Sequence, residues 1–200
     1  MNFEELGLCK EIISSINEKG YENPTEIQRR AIPHILTGRD LLGCAQTGTG
    51  KTGSFVMPLA EILSSGKSKS RMPRSLILAP TRELAMQVAE EFNFINKFLK
   101  LQMALLIGGV SFTEQDNKLA KGVDVLVATP GRLIDHIERG KVIIKDVKIL
   151  IVDEADRMLD MGFIPDIMKI NKLLPKIRQT LFFSATLSSE IRKIGKNLLF

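Results

Sequence analysis

Six short, strongly apolar runs alternate along the chain with longer amphipathic stretches, and this alternation limits the folds that the sequence can adopt. The apolar runs cover residues 40–44, 75–79, 103–107, 124–128, 149–152 and 180–183, and helical spacing marks residues 52–63, 83–98, 130–139 and 165–174. Runs of this kind are typical of strands that are buried on both faces of a sheet. The pattern therefore predicts a doubly wound α/β domain, in which helices flank a mostly parallel sheet.

Length and composition agree with one folded domain. Of the 200 residues, 44% are hydrophobic and 26% are charged, which is close to the globular average. We expect a single domain over residues 1–200, with N-terminal helices over 1–38, a core over 39–200 and a polar surface loop over 64–74. The net charge of +5 permits nucleic-acid binding but does not establish it.

Targeting and metal signals are absent from the sequence. No apolar run approaches the ~18 residues of a membrane span, and Glu4 and Glu5 stand where a signal peptide carries basic residues. We therefore expect a cytoplasmic protein without a membrane partner, and we also expect a monomer. Cysteine and histidine spacing supports no metal site, so we predict small buried residues at Cys9 and Cys44 and ordinary helical histidines at positions 34 and 136.

A glycine-rich segment follows the first apolar run, at the edge where doubly wound sheets bind ligands. Glycines let successive backbone N–H groups face a phosphate, Lys51 suits the β- and γ-phosphates, and Thr52 is placed to hold Mg²⁺. Ala45 replaces the first glycine of the strict P-loop pattern, and a glycine-containing helix start is the alternative interpretation. The strand before the segment and the helix after it favour phosphate binding by Ala45, Gln46, Thr47, Gly48, Thr49, Gly50, Lys51 and Thr52.

The fifth apolar run ends in the acidic sequence Asp153, Glu154, Ala155 and Asp156. In a P-loop enzyme, a carboxylate at the end of a neighbouring strand holds the Mg²⁺ of the nucleotide, and Asp153 suits this role. A second carboxylate beside it can accept a proton from the attacking water, which makes Glu154 the candidate general base. A solvated helix start is the alternative. Together with the upstream segment, the acids indicate a nucleoside triphosphatase whose catalytic residues are Lys51, Asp153 and Glu154.

With these motifs the chain resembles, over nearly its whole length, the first RecA-like domain of a DEAD-box RNA helicase. The resemblance implies an ATP- and Mg²⁺-dependent enzyme that separates a few RNA base pairs when ATP and RNA close two domains over a single strand. Residues 20–28 resemble the family's Q motif, which recognises adenine. By this resemblance Tyr21, Thr25 and Gln28 bind the nucleotide, because the Gln28 amide can pair with adenine and Tyr21 can stack on it.

Three further segments resemble the RNA-contacting motifs of the family. Each offers a helix N-terminus or a bare backbone N–H beside a hydroxyl or an arginine, which suits phosphates and sugars rather than bases. Without the resemblance, ordinary helix-surface residues would be the better interpretation of Arg82 and Arg132. With it, we predict sequence-independent RNA contacts from Pro80, Thr81, Arg82, Gly108, Gly109, Thr129, Pro130, Gly131 and Arg132.

The segment Ser184, Ala185 and Thr186 resembles motif III of the family. Its hydroxyls can bond to Asp156, which predicts coupling between the nucleotide end and the RNA end through Asp156, Ser184 and Thr186. Capping of the following helix is the alternative. Residues 157–163 and the short N-terminus resemble the bacterial RhlE-type branch.

The resemblance also implies a second RecA-like domain that supplies an arginine finger. His34 and His136 are both followed by Ile and the chain stops at Phe200, so we expect the arginine-rich motif to be absent and hydrolysis to lie near background. Loss of such a finger costs a factor of about 10³–10⁵ in turnover. If half of the RNA cleft holds two or three phosphates, the salt slope is only about −2. An RNA-independent P-loop NTPase and a non-hydrolysing RNA clamp are the alternatives.

Overall fold

Six parallel strands form one sheet in the computed structural model, which describes residues 1–66 and 71–199. The strand order across the sheet is β1-β6-β5-β2-β4-β3. Each predicted apolar run contains one strand, and the bounds agree to within about one residue. The strands are β1 (Leu41–Cys44), β2 (Ser75–Leu78), β3 (Met103–Leu106), β4 (Val125–Ala128), β5 (Ile149–Val152) and β6 (Gln179–Ser184).

The helices alternate with the strands and cover both faces of the sheet. They are α1 (Lys10–Glu18), α2 (Glu26–Leu36), α3 (Lys51–Ser64), α4 (Arg82–Ile95), α5 (Phe112–Ala120), α6 (Pro130–Glu138), α7 (Ala155–Asp160), α8 (Ile164–Leu173) and α9 (Ser189–Leu198). Short 3₁₀ helices cover Glu4–Leu6 and Asn96–Phe98, so the stretch predicted as one helix over 83–98 changes type after Ile95. Within the described residues, each helix is too short or too polar to cross a bilayer.

Two hydrophobic cores lie on opposite faces of the sheet because successive strand residues point to opposite sides. Ile77, Ile151 and Phe183 pack with α1–α4 on one face. Leu78, Val152 and Phe182 pack on the other face, chiefly with α6–α9. The predicted α/β fold with a doubly wound sheet is therefore confirmed, and the sheet is parallel throughout.

This topology sorts the loops that follow the strands into two groups along one sheet edge. The loops after β1, β6 and β5 are neighbours, and they contain the glycine-rich segment, residues 184–186 and residues 153–156. The loops after β2, β4 and β3 form the other half of the edge, and they contain the three predicted RNA-contacting segments. Because all carboxyl ends of a parallel sheet meet at one edge, the predicted functional segments share one surface.

Cys9 and Cys44 are both less buried than the sequence predicts. Cys44 is exposed rather than buried, because β1 is an edge strand of the sheet. Cys9 is half-buried, and burial raises the pKa of its thiol to about 11.

The predicted surface loop over 64–74 falls partly on residues 67–70, which lie outside the described residues. Beside them, Arg74 forms an ion pair of 2.9 Å with Asp124.

Candidate nucleotide and nucleic-acid site

The glycine-rich segment curls at the end of β1 and leads directly into α3. Gly48 and Gly50 adopt φ angles of 84° and 81°, which L-residues with side chains rarely adopt. A Cβ atom at Gly50 would lie 2.6 Å from Thr25 Oγ1 and 2.7 Å from Gln28 Nε2. Glycine is therefore required at position 50 both by the backbone turn and by the close approach of α2.

Lys51 reaches from the start of α3 to the carboxylates at the end of β5. Its Nζ lies 2.9 Å from Asp153 Oδ1 and 3.3 Å from Glu154 Oε1. The Lys51 side chain is 6% exposed and that of Asp153 is 3% exposed, so this pair is largely shielded from water. Burial raises the pKa of Asp153, and the positive charge of Lys51 opposes that rise. The three residues predicted to be catalytic thus form one cluster.

Glu154 has a strained backbone. Its φ of 53° and ψ of 54° place it in the left-handed region, and among the described residues it alone has a positive φ without being glycine. Such conformations cost about 1–3 kcal/mol and persist where the surrounding structure imposes them. This left-handed conformation occurs where the chain passes from β5 into α7, and Lys51 Nζ donates to Glu154 Oε1 there at 3.3 Å.

Thr25 and Gln28 join α2 to the glycine-rich segment. They form a capping box at the start of α2, in which Thr25 N–H donates to Gln28 Oε1 at 3.0 Å. Gln28 Nε2 donates to the Gly50 carbonyl at 3.1 Å, and the side chain is only 5% exposed. Gln28, which the sequence predicts to read adenine, therefore also fixes the distance between the Q-motif helix and the phosphate-binding turn.

A cavity of about 430 Å³ lies between α2, the glycine-rich segment, α4 and the end of β5. This volume falls within the usual range for small-molecule sites. The predicted residues Tyr21, Thr25, Gln28, Thr47, Gly48, Gly50, Lys51, Thr52, Asp153 and Glu154 line it, together with Phe3. Ala45, Gln46 and Thr49 instead line a groove on the other side of the turn, beside the edge strand β1.

Sequence reasoning missed one wall of the cavity, which comes from α4. Leu84, Gln87, Val88 and Glu91 line the cavity, and Glu91 accepts a hydrogen bond of 2.5 Å from Lys19 Nζ. These residues recur at intervals of three and one along the helix, so they share a face. That spacing, read together with the predicted motif at the start of α4, is the signal that could have found them.

The residues predicted to couple the two ends are only partly in contact. Thr186 Oγ1 donates to Asp156 Oδ2 at 3.4 Å. The Ser184 hydroxyl is fully buried at the end of β6 and has no hydrogen-bond partner among the described residues. The N-cap of α9 is Ser188, whose Oγ accepts from Ile191 N–H at 3.2 Å, so residues 184–186 do not cap that helix.

At the other half of the edge, the three predicted RNA-contacting segments touch one another. Thr81 caps α4 by accepting from Leu84 N–H at 3.2 Å, and Pro80 precedes it. The exposed Arg82 side chain packs across Gly109, where a Cβ atom would lie 2.9 Å from the Arg82 Cζ. Gly108 and Gly109 follow β3, and Gly109 has a φ of 76°.

The third of these segments begins α6. Thr129 is its N-cap and Pro130 occupies its first turn, while Gly131 is exposed. Arg132 is half-buried rather than free, because its guanidinium donates to the Val110 carbonyl and lies 3.5 Å from the centroid of the Phe112 ring. Arg132 is therefore held against the loop that contains Gly108 and Gly109.

Comparison with family models decides which protein family has this arrangement. Residues 25–194 match the model described as DEAD/DEAH box helicase. The chain belongs to this family.

Similarity to individual helicases extends over the whole chain. It is 43% identical to DEAD-box ATP-dependent RNA helicase 52A of Oryza sativa subsp. japonica, over 98% of this chain and 36% of that protein. It is also 43% identical to ATP-dependent RNA helicase DeaD of Escherichia coli K12, over 98% of this chain and 31% of that protein. The crystal structure of a DEAD box protein from the hyperthermophile Methanococcus jannaschii matches all of this chain and 54% of that chain, at 42% identity and a TM-score of 0.93.

The chain matches only part of each relative, and the relatives come from diverse organisms. The chain spans about a third of the length of these two curated relatives. The relatives are plant, fungal, amoebal and bacterial proteins, so they do not single out the RhlE-type branch. The matched region of the DEAD/DEAH box helicase model begins at Thr25, so Phe3 and Tyr21 lie before it.

Proposed function

We propose that this chain is the ATP-binding domain of an RNA-dependent ATPase that separates RNA base pairs. One observation carries the proposal: a single sheet edge places the Lys51 cluster at one half and the Arg82 and Arg132 loops at the other. Several relatives are named ATP-dependent RNA helicases, which supports the same activity here.

The nucleotide half suits a nucleoside triphosphate. The turn at Gly48 and Gly50 and the N-terminus of α3 offer backbone N–H groups to phosphates, and Lys51 supplies a positive charge beside them. In the structure that charge faces Asp153 and Glu154. Entry of a triphosphate therefore gives Lys51 a competing anionic partner and releases the carboxylates for other roles.

The same residues fit a magnesium ion that arrives with the nucleotide. No cluster of three or more His, Cys, Asp or Glu residues suited to a metal occurs in the described part of the chain. Mg²⁺ typically takes only one or two protein oxygens and completes its shell with phosphates and water. The buried Asp153 carboxylate and the Thr52 hydroxyl would hold it, and the ion would neutralise charge on the phosphates.

Glu154 is the group we assign to proton transfer. Its side chain is 14% exposed and lines the cavity, so a water molecule can reach it. When Lys51 turns to the phosphates, Glu154 keeps its 3.8 Å ion pair with the exposed Arg157, and its carboxylate can accept a proton from an attacking water. The strained backbone at Glu154 supports this role, because strain persists where function requires a fixed geometry.

Adenine specificity is assigned to Gln28 and Tyr21. Both side chains line the cavity, and the half-buried Tyr21 ring offers a face for stacking. Gln28 uses one hydrogen of its amide for Gly50 and one lone pair for Thr25, which leaves one donor and one acceptor for the adenine edge.

The other half of the edge suits the RNA backbone. The Thr81 and Thr129 helix starts, the bare Gly108 and Gly109 backbone and the two arginines lie along the same half of the sheet edge, after β2, β4 and β3. Groups of this kind bind phosphates and sugars without reading base sequence. Thr186 and Asp156 both lie at the nucleotide half, after the neighbouring strands β6 and β5, and we assign the coupling of nucleotide state to RNA binding to this contact and to Ser184.

The complete activity is assigned to a protein with a second RecA-like domain that closes over this edge. Without an arginine finger from such a domain, we expect turnover to fall by about 10³–10⁵. The RhlE-type branch and a cytoplasmic monomer also remain proposals, the former resting on residues 157–163.

The test measures ATP hydrolysis with and without single-stranded RNA, on this chain alone and joined in cis to a second RecA-like domain. We expect negligible turnover alone and RNA-dependent turnover in the joined protein. Brisk hydrolysis by this chain that ignores RNA would instead identify a self-contained NTPase. RNA binding without hydrolysis in the joined protein would identify a clamp.

A further inference from the structure

Arg132 is held by a set of side chains that the proposed function does not use. Its Nε donates to Gln115 Oε1 at 3.1 Å, and its Nη2 donates to the Val110 carbonyl. The guanidinium also lies over the Phe112 ring, with its Cζ 3.5 Å from the ring centroid. These contacts tie the start of α6 to the loop between β3 and α5.

Gln115 is the centre of this set. It is only 4% exposed, and its Nε2 donates to the Ile107 carbonyl at 2.9 Å, directly after β3. That bond fixes which end of the amide faces α6, because a carbonyl can only accept. Oε1 therefore points at α6, where it meets Arg132 Nε and, at 2.7 Å, His136 Nε2.

The far side of the set is closed by α6 and α5 together. His136 is fully buried, and its ring meets Phe112 edge-on at a centroid distance of 5.2 Å. Asp116 lies 3.2 Å from His136 Nδ1 and 3.0 Å from Arg139 Nη2. Phe112 thus contacts two guanidinium groups, since the Cζ of Arg139 lies 4.2 Å from its centroid. Because these side chains contact one another closely, they have little freedom to change rotamer.

The loop that these side chains hold is one of the proposed RNA-contacting segments. Its residues 108–111 lie between Arg82, which packs on Gly109, and Arg132, which bonds to Val110. Gly108 and Gly109 have no side chains with which to fix their own conformation. Their shape therefore depends on neighbouring anchors, and Gln115 supplies one at Ile107 and another through Arg132.

We propose that Gln115 is a positioning residue for RNA binding, which orients Arg132 and holds the loop of residues 108–111 in the form that receives the phosphate backbone. This inference rests on the proposed function of the surface. Gln115 itself does not touch RNA, because it is buried behind Arg132.

The test uses Gln115→Met, which keeps the volume of the side chain but removes its hydrogen bonds. Binding of a fluorescent single-stranded RNA to this chain is measured by anisotropy at low salt, and binding of a fluorescent ATP analogue is measured in parallel. We expect RNA affinity to fall by about three- to tenfold while nucleotide affinity stays within about twofold of the parent. Gln102→Ala, at an exposed glutamine before β3, is the matched control and leaves both affinities unchanged.

A double-mutant cycle with Arg132→Ala separates positioning from a merely structural role. If Gln115 acts through Arg132, Gln115→Met adds little to the loss already caused by Arg132→Ala. Equal losses in both backgrounds, or unchanged RNA affinity in folded Gln115→Met, overturn the inference while the proposed function stands. Absence of RNA binding by the parent chain, at any salt concentration, overturns the proposed function instead.

A measurement on the unsubstituted protein covers the case in which Gln115→Met does not fold. The Nε–H resonance of Arg132 is followed by NMR, assigned by its loss in Arg132→Lys. We expect an ordered group with slow hydrogen exchange, because it donates to buried Gln115. Phe112→Leu, at a half-buried position, should speed this exchange and weaken RNA binding in the same direction. A mobile, fast-exchanging Arg132 side chain contradicts the proposal without use of any Gln115 variant.

Discussion

The two halves of the functional edge are built in different ways. At the nucleotide half, opposite charges are buried together, with Lys51 held 2.9 Å from Asp153. At the RNA half, arginines are packed on an aromatic ring and on backbone carbonyls, with Arg132 over Phe112. The first arrangement buries opposite charges in the wall of a cavity, where a bound ligand can change their pairing. The second presents positive charge permanently at the surface.

Substitutions in the two halves are therefore expected to have different consequences. Removing one partner of a buried ion pair strongly destabilises the folded protein. Removing an exposed arginine has little effect on stability. Changes at the nucleotide half should therefore alter both chemistry and stability. Changes at exposed residues of the RNA half, such as Arg82, should alter affinity for RNA and its salt dependence, with small effects on folding.

The largest expected effect is on hydrolysis and tests whether the nucleotide half carries the chemistry. Glu154→Gln keeps the size of the side chain but removes the proposed base, so RNA-stimulated turnover should fall by about 10²–10⁴ in a protein joined to a second RecA-like domain. ATP affinity should persist. Asp160→Asn, at an exposed carboxylate near the end of α7, is the control. Unchanged turnover in Glu154→Gln would remove Glu154 from the mechanism.

Stability tests the claim that buried charge distinguishes the nucleotide half. Lys51→Met leaves the buried Asp153 without its cation, and we expect the free energy of unfolding in urea to fall by about 3 kcal/mol at pH 7. Adding Asp153→Asn, which removes the unpaired charge, should restore part of the loss. Lys193→Met, at an exposed position on α9, should be neutral. A neutral Lys51→Met would show that the pair contributes nothing to folding.

Nucleotide choice tests whether α2 belongs to the nucleotide half in function as well as in structure. Gln28→Ala removes the amide assigned to adenine, and we expect the preference for ATP over GTP to fall about tenfold, since a bidentate pair discriminates bases by about 1–3 kcal/mol. Absolute affinity should also fall, because Gln28 bonds to Gly50. Glu26→Ala, on the exposed side of the same helix, should keep the preference. An intact preference in Gln28→Ala would refute the adenine assignment.

A smaller effect is expected at the RNA half. Arg82→Ala should weaken binding of every single-stranded RNA by a similar factor of a few-fold and reduce the salt slope by about 0.7. ATP affinity should not change. Arg30→Ala, on the exposed side of α2, removes the same charge elsewhere and should leave RNA binding unaltered. A loss that depends on base sequence would contradict backbone recognition.

The sequence was sufficient to predict the strands, the phosphate-binding turn and the acidic segment, because these depend on local patterns. The adenine and RNA contacts were predicted only from the resemblance to the helicase family. Buried parallel strands are apolar runs, and the turn at Gly48 and Gly50 needs glycines that can be read directly. The neighbouring positions of residues 153–154 and Lys51 follow from parallel strands sharing one edge. The strand order itself is not local, so which loops are neighbours along the edge came only from the structure.

What the sequence did not predict depends on contacts between distant segments. His136 was assigned no role, yet it contacts Gln115, which is 21 residues earlier in the chain. The wall formed by α4 was missed for the same reason, since it needs the position of α4 relative to α2. A signal existed in the spacing of Phe112, Gln115 and Asp116, which places them on one face of α5. All three side chains contact residues of α6. Only the packing shows which residues of α6 that face meets.

The last expected effect concerns the pH dependence of stability, which involves His136 in the interior of the RNA half. Burial lowers the pKa of His136 below 6.5 in the folded chain, against the attraction of Asp116 and together with the repulsion of Arg132 and Arg139. As pH falls below about 6.5, the unfolded chain therefore binds a proton before the folded chain does, and stability is lost at up to about 1.4 kcal/mol per pH unit. His136→Leu should flatten this part of the urea-unfolding profile between pH 5 and 6.5, whereas Gln102→Ala should retain it. Parallel profiles for the parent and His136→Leu would show that protonation of His136 does not contribute to the loss of stability at low pH.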